Sequence, residues 1–234
     1  MLKPKKKFTK KELKQDKFVL ITLQAKDFLE KNSRTVFLFV IGVLILIVAF
    51  NFWRQSRATA NLEASNMLVR AQDVFYRGQK DAAKDSLKLL IERYDGTASA
   101  GHATFLLGKI YWEDDDYDSA KIYLKKFIDD YLDNTIISQS ALASYADCLL
   151  IEKNYKDAAK YYEKAAKIDP KFPETASYLY SAASAYKEAG EYKKAEKLID
   201  KLLADFKLSP QKNKAELLLE VIKMEKSLKE NNPV

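Results

Sequence analysis

The sequence predicts an all-α protein: one N-terminal transmembrane helix, then a solenoid of about four helical hairpins and a closing helix. Three observations carry this expectation. Six Gly and five Pro are few for 234 residues rich in Ala, Leu, Lys and Glu, so helices joined by short turns are expected. Residues 35–53 form an uncharged run of nineteen positions. An aromatic and a small residue three apart recur at a near-constant interval, in "DYDSA" (116–120), "NYKDA" (154–158) and "EYKKA" (191–195).

Residues 1–34 form the first segment, a basic tail. They hold eleven Lys and Arg against four Asp and Glu, an excess that accounts for the whole net charge of +7. The remaining residues carry 29 charges of each sign, so the fold itself is neutral. A nucleic-acid-binding domain needs its basic excess on the folded surface, and no such partner is expected. Within this segment "FVLITLQAKDFLEKN" reads in two ways. Phe18, Val19, Leu23 and Phe28/Leu29 could share the apolar face of a helix lying in the membrane interface. Alternatively, the membrane helix simply starts early.

The second segment, "TVFLFVIGVLILIVAFNFW" at 35–53, spans roughly 28 Å at about 1.5 Å per residue, close to the hydrocarbon thickness of a bilayer. Arg34 and Arg54 bracket it, and Trp53 stands at an interfacial position. Lysines crowd the preceding tail, whereas only Arg54 and Arg57 follow closely, so the positive-inside rule keeps the N-terminus cytoplasmic and exports residues 54–232. "ATA" at 58–60 resembles a signal-peptidase site. The charged region and apolar core are too long for a cleaved signal peptide, and an uncleaved signal-anchor is expected.

The third segment, 54–232, is the repeat domain. Small residues anchor four units at Ala83, Ala120, Ala158 and Ala195, separated by 37, 38 and 37 positions. Apolar positions recur four, seven and eight residues beyond each anchor, for example Leu124, Phe127 and Ile128, which marks one face of an amphipathic helix. A second helical run precedes each anchor, as in "SAGHATFLLGKIYW". Each pair forms a hairpin with a short polar turn, and Gly78 and Gly190 occupy turns where positive φ is needed. Two-helix units repeated at this interval make a helical solenoid. The small anchor is expected where two helices cross closely, with the aromatic filling the adjacent gap. "KNKAELLLEVIKMEKSLKE" then reads as the helix that closes the stack.

Catalytic and metal chemistry find little support. One Cys (Cys148) and one His (His102) cannot supply most metal sites, and GxGxxG, Walker A and HExxH patterns are absent. Cys148 lies in the apolar run "ALASYADCLLI" and is expected to be a small buried hydrophobe. The acidic turn "EDDDYD" lacks the glycine and terminal glutamate of an EF-hand and reads as a solvated turn. No enzyme activity, catalytic residue, cofactor or metal is expected.

The repeat residues resemble the tetratricopeptide repeat family, whose unit places L-G-x-x-Y in the first helix, G-x-Y-x-x-A at the turn and a proline near the end. Repeat two supplies Leu107, Gly108, Tyr111, Tyr117 and Ala120. Repeat three supplies Tyr155, Ala158, Ala165 and Pro170, and repeat four supplies Tyr186, Gly190, Tyr192 and Ala195. Repeat one departs most, since Ala71, Gly78 and Ala83 match but Lys80 replaces the tyrosine. The resemblance covers about residues 62–209. The layout of basic tail, single span and exported repeats is also similar to YfgM-like proteins, ancillary subunits of the bacterial Sec translocon that work with periplasmic chaperones.

The family resemblance implies a concave partner-binding groove lined by first helices. It places Leu68, Gln72 and Phe75 there in repeat one, and His102, Phe105, Lys109 and Trp112 in repeat two. Repeat three contributes Ala143, Asp147 and Leu150, and repeat four Tyr180, Ser184 and Lys187. Phe105, Trp112 and Tyr180 are the candidate hot spots, with packing between repeats as their other reading. The implied function is a scaffold in the bacterial inner membrane whose periplasmic domain binds translocon subunits, chaperones or envelope-complex subunits. The rival reading is a structural or assembly component of an envelope machine, in outer-membrane assembly, cell division, or a flagellar or secretion apparatus.

Overall fold

The computed structural model describes residues 10–133 and 136–231. The first nine residues, with the lysine cluster that begins the tail, and the domain end at 232 lie outside them. All the described elements are helices: α1 (Lys10–Lys31), α2 (Ser33–Tyr76), α3 (Lys80–Arg93), α4 (Ala98–Glu113), α5 (Tyr117–Asp130), α6 (Ile136–Ile151), α7 (Tyr155–Ile168), α8 (Thr175–Glu188), α9 (Tyr192–Asp205) and α10 (Lys212–Asn231). The chain divides into two compact units between Thr59 and Ala60.

In the first unit, helical hydrogen bonding runs through the one-residue break between α1 and α2. The Asn32 N–H donates to the Phe28 carbonyl, and the Val36 N–H donates to the Asn32 carbonyl, both at 2.9 Å. Val19, Leu23, Phe28 and Leu29 are all exposed. At 100° per residue they are spread around the helix; Phe18's side chain lies outside the described set. The apolar run has none of its residues buried, and Phe39 and Leu46 are about 70 % exposed (72 % and 69 %). A core helix would be covered, so this is one long apolar helix compatible with a single-pass anchor. Its one amide-bearing residue, Asn51, donates one side-chain N–H to the Ile47 carbonyl at 2.9 Å, which lowers the cost of a polar group in the run. The Arg57 guanidinium lies 5.3 Å from the centre of the Trp53 ring.

The second unit is a stack of helical hairpins. The first helices are the C-terminal part of α2, then α4, α6 and α8; the second helices are α3, α5, α7 and α9. Each second helix begins at the position that carries the recurring tyrosine, or Lys80 in repeat one. Each hairpin turn contains one residue with positive φ: Gly78 (80°), Asp115 (59°), Lys153 (60°) and Gly190 (72°). The sequence pointed to the two glycines. Asp115 and Lys153 adopt the same conformation because the geometry of the tight turn demands it, at some cost to a residue with a Cβ.

Ala83, Ala120, Ala158 and Ala195 are fully buried. Gly108 faces the same crossing, where an added Cβ would lie 2.9 Å from Leu124 Cγ and 3.3 Å from its backbone nitrogen. Tyr111 stacks on Tyr123 with ring centres 5.5 Å apart, and Tyr117 meets Trp112 edge-on at 4.9 Å. Tyr155 and Tyr192 are half-buried, whereas Pro170 is exposed in the loop before α8. Repeat one is the weakest unit: contact between α2 and α3 is the sparsest of the hairpins, and a cleft of about 440 Å³ opens beside Met67, Val74 and Tyr94. Lys80 supplies no ring to fill that turn.

Two sets of polar contacts run along the stack, one tying successive repeats and the other joining helices within a repeat as well as between repeats. Along the hairpin turns, Lys80 Nζ meets Asp114 at 2.7 Å, Lys121 meets Glu152, and Lys156 meets Glu191 at 3.2 Å. Along the opposite edge, where the chain enters each first helix, Tyr94 donates to Glu63 at 3.0 Å and Tyr131 donates to Asp95. Gln139 Nε2 then donates to the Ala165 carbonyl at 3.2 Å, and Gln211 Nε2 to Ser177 Oγ at 3.1 Å.

Overpacking the crossing is the direct test of this register. Ala120→Leu and Ala158→Leu are each expected to lower stability by about 1–3 kcal/mol, read by thermal or denaturant melting. A melt like that of the wild type places the crossing elsewhere.

Candidate functional site

The first helices carry the candidate groove, and the structure places its residues unequally. Leu68 is only 7 % exposed and belongs to the core beneath α2, so it packs instead of lining an open face. Gln72 and Phe75 are half-buried, with Phe75 against the same core. In α4, His102, Phe105, Lys109 and Trp112 recur at spacings of three and four and are all half-buried, which sets them on one side of the helix. In α6, Ala143 is buried, while Asp147 and Leu150 are half-buried. In α8, Tyr180, Ser184 and Lys187 are half-buried.

The aromatic residues of this face also pack. Phe105 tilts against Phe127 of α5 at 5.8 Å, Trp112 meets Tyr117, and Tyr180 lies against the C-terminal core. Each ring is therefore packed against the protein and only partly available to a partner. Lys187 is not free to flank a groove, because its ammonium meets Glu188 at 2.8 Å and Glu225 of α10 at 3.3 Å. The sequence treated α10 only as a closing element, and its carboxylate at Glu225 is the missed partner. Tyr192 donates to that same Glu225 at 3.2 Å.

Asp147 is the strongest electrostatic feature of the face. It accepts a hydrogen bond from the hydroxyl of Tyr162 on α7. Burial pushes its carboxyl above the usual range, while the Tyr162 hydrogen bond and the charge of Lys109 oppose that shift. Tyr162 is itself 3 % exposed, and burial together with the neighbouring carboxylate holds its phenol protonated. The sequence registered Tyr162 only as one apolar position of the repeat. Its partner became visible only when α6 and α7 were brought together.

The remaining titratable candidates are quiet. Burial lowers the pKa of His102, so it is neutral at physiological pH. Cys148 is 1 % exposed and burial pushes its thiol to about 11, as befits a packed hydrophobe. No group of three or more metal-ligating side chains occurs among the described residues.

A profile of the tetratricopeptide repeat-like domain family matches residues 26–169, and a tetratricopeptide repeat profile matches residues 149–220. A search of curated proteins finds no match. Among solved structures, MamA (41 to the end) from Desulfovibrio magneticus RS-1 is similar at 19 % identity and TM-score 0.55, covering 70 % of this chain and 85 % of that one. A tetratricopeptide repeat protein from Parabacteroides merdae is similar at 18 % identity and TM-score 0.58, covering 69 % of this chain and 60 % of that one. The tetratricopeptide-like repeats of a putative kinesin light chain from Podospora anserina share 14 % identity at TM-score 0.55, covering 72 % of this chain and 89 % of that one. At these identities the likeness shows the fold alone.

Two outcomes follow from the packing of this face. Trp112→Ala is expected to lower stability by about 1–2 kcal/mol in a melt, since it removes the contact with Tyr117. An unchanged melt would detach the ring from the repeat core. For Asp147, a raised folded-state pKa favours the neutral acid in the fold, so its contribution is fully present at low pH and lost as pH rises through that pKa. Asp147→Asn is thus expected to melt higher than wild type at pH 7, with the gap closing below about pH 4. A lower melt at pH 7 would mean that the charge stabilises the fold.

Proposed function

The chain belongs to the tetratricopeptide repeat-like domain family, and from that premise we propose that it is a membrane-anchored scaffold that holds other proteins beside the bilayer. Domains of this family typically bind proteins and are typically not enzymes. One observation carries the anchored reading. The family match begins at residue 26, ahead of the apolar run, and continues through the repeats. The run belongs to the same matched domain as the hairpins, and its side chains are uncovered.

The proposed partners are translocon subunits or periplasmic chaperones, with the domain on the periplasmic side of a bacterial inner membrane and the basic tail in the cytoplasm. The charge asymmetry across residues 35–53 supports this orientation. Docking uses the face of α4 and α6, where Phe105, Trp112, Lys109 and Asp147 combine apolar area with both signs of charge. The anchor contributes by raising the local concentration of the domain near any membrane complex. A fixed structural role in another envelope complex is the second reading, supported by the same anchored layout.

Co-purification of the full chain in mild detergent distinguishes the two. Translocon subunits or chaperones are expected to accompany the wild type and to be depleted at least tenfold with Trp112→Ala, provided that the variant remains folded by circular dichroism. Recovery of a flagellar, division or outer-membrane-assembly complex instead would favour the structural role. Protease added to spheroplasts should digest residues beyond 54; protection of the repeats there would reverse the orientation.

A further inference from the structure

Both edges of the repeat domain are built from loops and both expose apolar side chains, Tyr76 and Ile151 at the hairpin turns among them, but the lysines around Leu208 are not engaged as those of the hairpin turns are. The hairpin-turn edge is laced with the ion pairs Lys80–Asp114, Lys121–Glu152 and Lys156–Glu191. The opposite edge carries exposed apolar side chains. Leu208, between α9 and α10, is 100 % exposed, and Leu132 and Ile136, around the start of α6, are also exposed. A cleft of about 490 Å³ surrounds Leu208, lined by Pro173, Phe206 and Pro210 and flanked by Lys171 and Lys207. Asp205 is the one carboxylate lining it among the described residues. Neither lysine forms an ion pair within 4 Å among the described residues.

A fully exposed leucine on a loop tip gains nothing from water, and two unpaired lysines beside it attract anions. The contacts Tyr94–Glu63, Tyr131–Asp95, Gln139–Ala165 and Gln211–Ser177 all lie along this edge, where first helices begin and second helices end. That edge therefore runs from the loop at Leu208 back to the beginning of the repeat domain, which the chain enters at Ala60.

We propose that the loop around Leu208 is a membrane-contact site, in which Leu208 enters the interface of an anionic bilayer and Lys171 and Lys207 meet its phosphates. This rests on the anchored reading above. The apolar residue supplies partitioning and the lysines supply electrostatic attraction, the same combination that holds interfacial segments on membranes. The contact is a second attachment for a domain already tethered covalently.

The test uses the full chain in vesicles of phosphatidylcholine and phosphatidylglycerol that contain a nitroxide-labelled lipid. Single fluorophores are attached at Ala204→Cys in the cleft beside Leu208, at Gln79→Cys on the turn edge, and at Leu44→Cys in the span. Cys148 is buried and its thiol is protonated at neutral pH, so it stays unlabelled. Ala204 and Gln79 are both exposed, and Gln79 makes no side-chain cap hydrogen bond, so neither substitution disturbs packing. Lipid quenching is expected at Leu44→Cys and Ala204→Cys but not at Gln79→Cys. Adding Leu208→Ser, adding Lys171→Glu with Lys207→Glu, or omitting phosphatidylglycerol is each expected to reduce quenching at Ala204→Cys by roughly half or more. Quenching at Leu44→Cys with none at Ala204→Cys, or quenching at Ala204→Cys that Leu208→Ser leaves unchanged, overturns the contact and leaves the anchor standing. Shielding of Ala204→Cys only when a protein partner is added, without lipid quenching, also overturns it. No quenching at Leu44→Cys overturns the anchored reading, and this proposal with it.

Discussion

The close crossing of paired helices at one small residue per repeat is the constraint on which the repeat domain depends. Ala83, Ala120, Ala158 and Ala195 are completely buried, and Gly108 has no room for a methyl group against Leu124. Small side chains let the helix axes approach, and the long side chains on either side, such as Leu87, Leu124, Tyr162 and Ile199, then interdigitate. The four crossings recur at a nearly equal sequence interval, so successive hairpins stack in the same way. Contact of each repeat with its neighbours makes the stability of the stack a nearest-neighbour property. Where the turn lacks its tyrosine, in repeat one, the hairpin is the least closely packed.

Polar contacts select the arrangement more than they stabilise it. The lysine–carboxylate pairs along the turn edge lie at the surface, where such pairs contribute about 0–1 kcal/mol each. Their value is geometric, because each lysine of one repeat meets a carboxylate of the next. The tyrosines do more, since a ring can pack while its hydroxyl reaches a charged acceptor. Tyr186 shows this, with its ring buried and its hydroxyl donating to Glu163 at 2.6 Å. Tyr162 and Asp147 form the same kind of pair on the candidate binding face, but there the carboxylate itself is drawn into the protein. A charge held where burial opposes it is a recurrent mark of binding and functional surfaces. It supports α4 and α6 as the proposed docking face, whereas Lys187 is already paired with Glu225 of α10.

What the sequence determined by itself was periodic or compositional. The apolar run is long, uncharged and unbroken, so a single helix follows from composition. The interval between Ala120, Ala158 and Ala195, with apolar residues four, seven and eight beyond, fixes hairpins because only a 3.6-residue helix brings those positions to one side. The onset of α5, α7 and α9 at Tyr117, Tyr155 and Tyr192 was legible for the same reason. Tertiary structure decided everything that needed two distant segments to meet. The burial of Leu68, the pairing of Lys187 with Glu225, and the contact of Phe105 with Phe127 depend on how helices are set beside one another. The positive φ of Asp115 and Lys153 carries no glycine to announce it, because closure of the hairpin imposes that conformation on whatever residue stands there. Gly101 was likewise silent in the sequence, yet an added Cβ there would come within 2.9 Å of the Tyr131 ring. Local periodicity is written along the chain, whereas the environment of a side chain is set by neighbours that the chain supplies from elsewhere.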